Sequence, residues 1–235
     1  MDRVRVWSIK DAVMEPQNIV IAIDGPAGSG KSTVAKILAA RLGLRYLDTG
    51  AMYRCFALKA HRAGLSGLDA SAAAALGQSA VISFGEGDPQ PVYLDLEEVT
   101  TEIRTPEIGQ LASELSTHLV VRVVLVEQQK AIVAQGGYVL EGRDVTTVVA
   151  PNADVKVFLT ASIEERARRR WLEMQGRGDR RRLQEVVLDV VARDHRDYTR
   201  DESPLTLAED AHLIESFGLT PDEVADRIVA LIPAR

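Results

Sequence analysis

Residues 25–32 carry the strongest chemical signal in the chain, because they have the spacing of a phosphate-binding loop. They read Gly-Pro-Ala-Gly-Ser-Gly-Lys-Ser. In such a loop Lys31 would reach the β- and γ-phosphates of a nucleoside triphosphate, and the Ser32 hydroxyl would take one position on Mg²⁺. The alternative, a glycine-rich turn that binds nothing, leaves the lysine and the hydroxyl unexplained. We expect the triphosphate to contact Gly25, Pro26, Ala27, Gly28, Ser29, Gly30, Lys31, Ser32 and Thr33.

The segment 166–182 contains eight arginines. Arg166, Arg169 and Arg170 would share one face of a helix, since residues three and four apart are neighbours on its surface. Glycines then interrupt the helix, as a mobile flap requires. The segment is either a solvated or nucleic-acid-binding surface, or a lid whose arginines stabilise a transferring phosphoryl group. The second interpretation makes Arg170 a catalytic residue.

A second charged cluster lies in the helix predicted from residue 183 onward. Arg193, Arg196, Asp197 and Arg200 recur there at helical spacing, so one face carries three like charges and one carboxylate. Like charges so placed repel one another unless something neutralises them. Pairing with nearby surface carboxylates is one solution, and an anionic ligand is the other.

Two further polar loops follow predicted parallel strands. Residues 141–144 come after the strand that ends at Leu140, and residues 48–54 come after the second strand. The carboxyl ends of parallel strands meet at one edge of an α/β sheet, where ligands bind. We therefore expect both loops beside the phosphate-binding loop.

The elements that must position these groups alternate between short apolar strands and helices. That pattern predicts an α/β fold, a parallel sheet with helices on both faces. Alternation within residues 91–96 predicts a small antiparallel insert. Residues 119–126 are rich in β-branched side chains, but the run continues without a breaker and is interpreted as helix. The predicted strands of the main sheet are 19–23, 45–47, 138–140, 155–159 and 212–214, and the predicted helices are 32–42, 50–62, 106–135, 183 onward and 221–232.

Composition limits what the protein can bind. The chain has 235 residues, a net charge of −6 and a pI near 5.3, and so lacks the positive field of a nucleic-acid binder. No apolar run is long enough to span a membrane, and the first residues do not read as a signal peptide. The lone Cys55 suits a reducing cytosol. We expect one cytoplasmic, monomeric domain over 18–235, with an extension at 1–17.

The acceptor can be narrowed from its chemistry. A kinase that phosphorylates a hydroxyl group needs a carboxylate to accept the proton. A phosphate monoester is mostly dianionic at pH 7 and needs positive charge instead of a base. Many arginines without an obvious catalytic base therefore favour a nucleoside monophosphate as acceptor.

Five motifs resemble those of the bacterial cytidylate kinase family; they are residues 23–31, 47–54, 102–105, 142–144 and 164–167. The resemblance implies phosphoryl transfer from ATP to CMP or dCMP with Mg²⁺. It also implies a CMP-side insert at 66–104 and a lid at 166–182, with no nucleic acid or membrane as partner. The expected catalytic residues are Lys31, Arg143, Arg170 and Arg200.

The resemblance further implies which residues bind the acceptor. Those that would hold the CMP phosphate and its surroundings are Thr49, Tyr53, Arg54, Arg143 and Arg200. Those that would read cytosine are Ser113, Arg122 and Asp144, and those that would face the ribose are Arg193 and Asp197. Because uracil has an O4 acceptor where cytosine has an N4 donor, the Asp144 carboxylate would favour cytosine.

Two positions depart from the family pattern. Thr146 stands where the family commonly has glycine, which affects the backbone of that loop, and residues 215–217 replace a usual Asp-Ser-Thr/Ser, which weakens any assignment of adenine contacts there. A nucleotide switch or sensor is the competing class of protein, although no N-K-x-D base-reading motif occurs. Among kinases, UMP/CMP or guanylate-type specificity is the runner-up.

Overall fold

The computed structural model describes residues 18–65, 70–176 and 178–233. Its centre is a five-stranded sheet in the order β2-β6-β1-β7-β8, and every pair of neighbours is parallel. This confirms the predicted parallel sheet. The predicted extension at 1–17 lies outside the described residues. The strands are β1 (Val20–Asp24), β2 (Arg45–Asp48), β6 (Tyr138–Gly142), β7 (Val155–Thr160) and β8 (His212–Glu215).

Helices cover both faces of this sheet, as the alternating side chains of β1 show. Ile21 and Ile23 are fully buried in one core cluster, and Ala22 is fully buried in the other. Burial on both faces explains the continuous apolar run of this strand. The described helices are α1 (Lys31–Leu42), α2 (Thr49–Arg62), α3 (Ala70–Ser79), α4 (Pro106–Leu115), α5 (Leu119–Val133), α6 (Ile163–Gly176), α7 (Leu183–Thr199) and α8 (Pro221–Val229). None of the helices in these ranges is long and apolar enough to cross a membrane.

The prediction of one helix over 106–135 is wrong, because the chain breaks between α4 and α5. The Ser116 hydroxyl donates to the Ser113 carbonyl at 2.8 Å, and the Thr117 hydroxyl donates to the Glu114 carbonyl at 2.8 Å. These side chains satisfy carbonyls that a continuing helix would have used. The helical interpretation of residues 119–126 is confirmed, since they form the first half of α5.

A separate antiparallel sheet packs beside α2. It contains β3 (Ile82–Phe84), β4 (Val92–Leu94) and β5 (Glu97–Glu98). The strand β4 lies within the predicted alternation at 91–96, but β5 consists of two exposed glutamates and has no apolar pattern to reveal it. Arg62 ties the sheet to α2 through a bidentate contact with Glu97 at 2.7 and 2.9 Å. The small antiparallel insert is thus confirmed as a fold feature, while its limits at 66 and 104 stay a prediction.

Candidate active site

The phosphate-binding loop joins the end of β1 to the start of α1. A Cβ atom on Gly25 would lie 2.0 Å from the Leu159 carbonyl oxygen, and one on Gly28 would lie 2.8 Å from the Arg166 carbonyl oxygen. Both glycines also have positive φ, at 147° and 78°, so no other residue fits either position without strain. Lys31 is buried and its Nζ donates to the Pro26 carbonyl at 2.8 Å. The lysine therefore lies across the loop that it would serve.

A carboxylate faces the predicted Mg²⁺ ligand. Glu141, at the end of β6, accepts a hydrogen bond from the Ser32 hydroxyl and another from the Tyr46 hydroxyl at 2.9 Å. The glutamate is only 6% exposed. Hydroxyl and carboxylate oxygens are the donors that Mg²⁺ prefers, and the metal is usually held by few protein groups plus phosphate. The residues present therefore fit a magnesium site. Sequence reasoning placed Glu141 at this edge without giving it a role.

The three arginines predicted to share one helix face divide between two tasks. Arg166 is buried and donates to the carbonyls of Ala161 at 3.0 Å and Ala27 at 3.1 Å. It also forms an ion pair with Asp194 of α7 at 2.6 Å. Arg166 therefore holds the phosphate-binding loop against α6 and α7. Arg170, one turn further on, lines the cavity beside Lys31.

The predicted acceptor residues come together around one cavity, although they belong to different elements. They lie at the start of α2, on α4 and α5, in the loop after β6 and on α7. The same cavity also contains Gly28, Lys31, Ser32 and Arg170. The ten acceptor residues that line it are Thr49, Tyr53, Arg54, Ser113, Arg122, Arg143, Asp144, Arg193, Asp197 and Arg200.

Two buried ion pairs organise the floor of the cavity. Arg122 donates to the Asp144 carboxylate, and the side chains are 3% and 7% exposed. Arg143 Nε donates to Asp197 at 2.8 Å. Although burial raises the pKa of Asp197, Arg143 and Arg193 hold it below its usual value. Both carboxylates therefore fix the direction of an arginine.

Positive charge remains in excess after these pairs are counted. Burial and the neighbouring Arg143 together lower the pKa of Arg193 to about 9. Burial and Arg104 together lower the pKa of Arg54 to about 10. Arg193 Nε and Arg200 Nη2 are buried without a hydrogen-bond partner in the described part of the chain. Buried guanidinium nitrogens that lack a hydrogen-bond partner are costly, so these two arginines favour an anionic ligand in the cavity.

Sequence reasoning gave no site role to Arg104, and it named Arg196 only as part of the charged face of α7. Arg104 forms an ion pair with Asp48 at 2.7 Å and lines the cavity. Arg196 Nε donates to the Ser113 hydroxyl at 3.2 Å. Arg104 stands in one of the motifs and Arg196 on the charged face of α7, so both could have been suspected from position. Nothing in the sequence indicated their partners.

A second cavity lies on the opposite side of the phosphate-binding loop. Residues 28–34 line it together with charged groups of α6 and apolar side chains around the start of α8, among them Leu219 and Val224. The Ser216 hydroxyl donates to the Ser29 carbonyl at 3.1 Å and accepts from Arg169 at 2.9 Å. The altered motif at 215–217 therefore still supports the loop through its serine.

The two comparisons of sequence identify one family, and the comparison of structures shows a shared fold. The sequence model described as Cytidylate kinase matches residues 21–234. A protein named cytidylate kinase from Geobacter sp. (strain M21) is 45% identical over 225 residues, covering 95% of this chain and 97% of its own. One from Desulfitobacterium hafniense (strain Y51) is 47% identical, with 92% and 93% covered. A solved structure of an uncharacterized protein from Eubacterium ventriosum shares the fold, with a TM-score of 0.52, 15% identity and 92% and 99% covered.

Proposed function

This chain belongs to the cytidylate kinase family, and from that premise we propose that it binds ATP along the loop at 25–33 and CMP or dCMP in the arginine-lined cavity. It transfers the terminal phosphoryl group of ATP to the acceptor phosphate, giving ADP and CDP or dCDP, in pyrimidine nucleotide metabolism. One observation carries the assignment of the sites. The ten acceptor residues expected from the sequence line one cavity together with Lys31.

On the donor side, Lys31 and the backbone N–H groups at the start of α1 would hold the β- and γ-phosphates. Residues around Leu219 and Val224 offer an apolar surface for the base. Ser32 would bind Mg²⁺ directly, and Glu141, which faces the Ser32 hydroxyl, would complete the protein's share of the site. Held there, Mg²⁺ would supply positive charge against the negative charge that develops during phosphoryl transfer.

On the acceptor side, Arg54, Arg143 and Arg200 would surround the CMP phosphate. Their charge lets two polyanions approach in line, and Arg170 would stabilise the phosphoryl group as it moves. A dianionic phosphate needs no general base. The Asp144 carboxylate would accept from the cytosine N4 amino group while Arg122 holds it in place. The O4 oxygen of uracil would face the same carboxylate and be repelled.

The proposal also covers how the protein works in the cell. Residues 166–182 would close as a lid over the triphosphate, and the insert at 66–104 would lie on the CMP side. The protein would act as a monomer in the cytoplasm, on free nucleotides and not on nucleic acid or membranes.

A coupled assay of ADP release with CMP, dCMP, UMP, AMP and GMP tests this function. We expect ADP release with CMP and dCMP and much less with the other three. Lys31→Ala should reduce kcat more than tenfold, which corresponds to about 1.4 kcal/mol of barrier. Equal turnover of UMP or GMP would transfer the acceptor assignment to another base. No release with any acceptor would favour a nucleotide sensor.

A further inference from the structure

A buried carboxylate connects the phosphate-binding loop to the loop that follows β6. Asp24, the last residue of β1, is 0% exposed. It accepts hydrogen bonds from the Val145 N–H at 2.9 Å, the Thr146 N–H at 2.8 Å and the Thr146 hydroxyl at 2.6 Å. Asp24 immediately precedes Gly25, and Val145 immediately follows Asp144. One side chain therefore joins the donor side of the site to the acceptor side.

The loop after β6 is anchored at both ends. At its start the Thr49 hydroxyl donates to the Glu141 carbonyl at 2.6 Å. A Cβ atom on Gly142 would lie 2.6 Å from Thr49 Oγ1, so the backbone has no room to shift there. At its end the Asp24 carboxylate holds the π-helical turn Val145–Val149. Between the two anchors lie only three residues, Gly142, Arg143 and Asp144, and all three line the cavity.

The Thr146 hydroxyl is important because Asp24 is a fully buried carboxylate, and burying a charged group is costly unless it is hydrogen-bonded. Burial and the neighbouring Asp144 raise the pKa of Asp24 to about 6, although the hydrogen bonds from Thr146 and Val145 lower it. A hydrogen bond to a carboxylate is about twice as strong as one between neutral groups. The hydroxyl bond from Thr146 is the shortest of the three that Asp24 accepts.

We propose that Thr146 is a positioning residue: its hydroxyl bond to Asp24 holds the Arg143–Asp144 loop in the geometry that binds CMP. The inference rests on the proposed function, because it assumes that this loop contacts the acceptor. Thr146 itself does not line the cavity of the described structure. Its effect is therefore exerted through the loop.

Steady-state kinetics with matched variants tests the inference. Thr146→Val removes the hydroxyl and keeps the shape, so KM for CMP should rise about tenfold while KM for ATP stays unchanged. Thr146→Ser restores the hydroxyl and should recover the wild-type KM. Thr147→Val is the matched control, because Thr147 lies in the same turn and its hydroxyl makes only a 3.4 Å contact with the Asp144 carbonyl. It should behave as wild type.

Three results would overturn the inference. They are equal changes in KM for ATP and CMP, the same defect in Thr147→Val, or a wild-type KM for CMP in folded Thr146→Val. If Thr146→Val does not fold, Thr146→Gly removes the same bond and must show the same selective rise. Hydrogen exchange of residues 143–149 should accelerate in either variant and not in Thr147→Val.

A separate variant keeps this failure distinct from failure of the proposed function. Asp144→Asn should raise KM for CMP whether or not Thr146 positions the loop. An impaired Asp144→Asn beside an unimpaired Thr146→Val overturns only the role of Thr146. An unimpaired Asp144→Asn shows that the loop does not contact the acceptor and overturns both.

Discussion

Asp144, the residue proposed to read cytosine, has an arginine beside each of its two carboxylate oxygens. Arg122 occupies one of its oxygens, and Arg200 Nη2 lies 3.9 Å from the other. A carboxylate can only accept hydrogen bonds, and these two contacts fix the direction of its oxygens. A carboxylate fixed as an acceptor distinguishes an amino group from a carbonyl oxygen, which is the difference between cytosine and uracil.

Asp144→Asn should therefore narrow the ratio of kcat/KM for CMP over UMP. The amide can present a donor to uracil O4, and the loss of a charge-assisted bond to N4 should lower activity with CMP. We expect the ratio to fall by at least tenfold, or about 1.4 kcal/mol. If both activities decline by the same factor, Asp144 does not read the base and acts only on the backbone or on Arg122.

Asp24 gives a pH-dependent stability whose sign is opposite to that of most carboxylates. Its pKa is about 6 in the fold against 3.8 in the unfolded chain. The folded state therefore binds more protons between these values, and stability falls as pH rises from about 4 to about 6 and is level above. The contribution of Asp24 to the free energy of unfolding is about 3 kcal/mol larger below this pH range than above it.

Urea unfolding of the wild type and Asp24→Asn at pH 4.5, 6 and 7.5 checks this. The asparagine cannot titrate, so the wild type should gain stability relative to the variant as the pH falls. Other carboxylates titrate in both proteins and cancel in the comparison. A constant difference across the range would show that Asp24 has an ordinary pKa.

The sequence could predict site residues only where a motif or an element end fixes their position. Lys31 and Asp144 follow strands whose carboxyl ends must meet, so their proximity was predictable. Arg166 was not, because helical spacing shows which residues share a face but not what that face packs against. The hydrogen bond from the Thr146 hydroxyl to Asp24 was also not predictable, since the two residues lie 122 positions apart in the chain.

At the scale of elements, α6 depends on a buried charge pair that the lid interpretation did not foresee. Arg166 joins α6 to α7 and to the phosphate-binding loop, whereas Arg170 on the same helix faces the cavity. The helix α6 thus carries one cation that stabilises the fold, Arg166, and one that is proposed to act in catalysis, Arg170. Substitution of the first should change stability, and substitution of the second should change activity.

Arg166→Met should lower the free energy of unfolding by about 3–5 kcal/mol, because it leaves Asp194 buried without its partner. Arg170→Met should change the free energy of unfolding little and lower kcat instead. Chemical denaturation and steady-state kinetics on both variants provide the comparison. A stable Arg166→Met with low kcat would return Arg166 to the catalytic lid.

Element boundaries failed where local side-chain bonds or missing patterns decided them. The break after α4 depends on the hydroxyls of Ser116 and Thr117, which bond to carbonyls three residues earlier. The strand β5 exists because β4 offers an edge, not because of its own two glutamates. The main sheet was predictable because each of its buried strands is an apolar run between loop residues.

For the molecule as a whole, the charge of the central cavity is opposite in sign to the net charge of the chain. The chain carries −6, yet its central cavity is lined by seven arginines and three carboxylates besides Asp48. A cleft of one sign between low-dielectric walls attracts ligands of the other sign. The cost falls on the ligand-free state, where neighbouring guanidinium groups are buried and lower one another's pKa.

Because of that cost, we expect Arg193 to lower the stability of the ligand-free protein and to strengthen the binding of CMP. The residue is buried, its Nε is unpartnered, and its pKa falls to about 9 through burial and Arg143. Arg193→Met should therefore raise the free energy of unfolding of the ligand-free protein by about 1 kcal/mol, since an apolar group replaces a buried cation whose Nε has no hydrogen-bond partner.

Binding should show the reverse effect in the same pair of proteins. CMP at about 100 times its dissociation constant stabilises the wild type by about 2.7 kcal/mol, and at the same concentration should stabilise Arg193→Met far less. Thermal unfolding with and without CMP measures both terms at once, and sulfate separates a general anion effect from one that requires the nucleotide. If the variant without ligand is less stable than the wild type, Arg193 stabilises the packing of α7. Repulsion between the arginines then does not destabilise the ligand-free site.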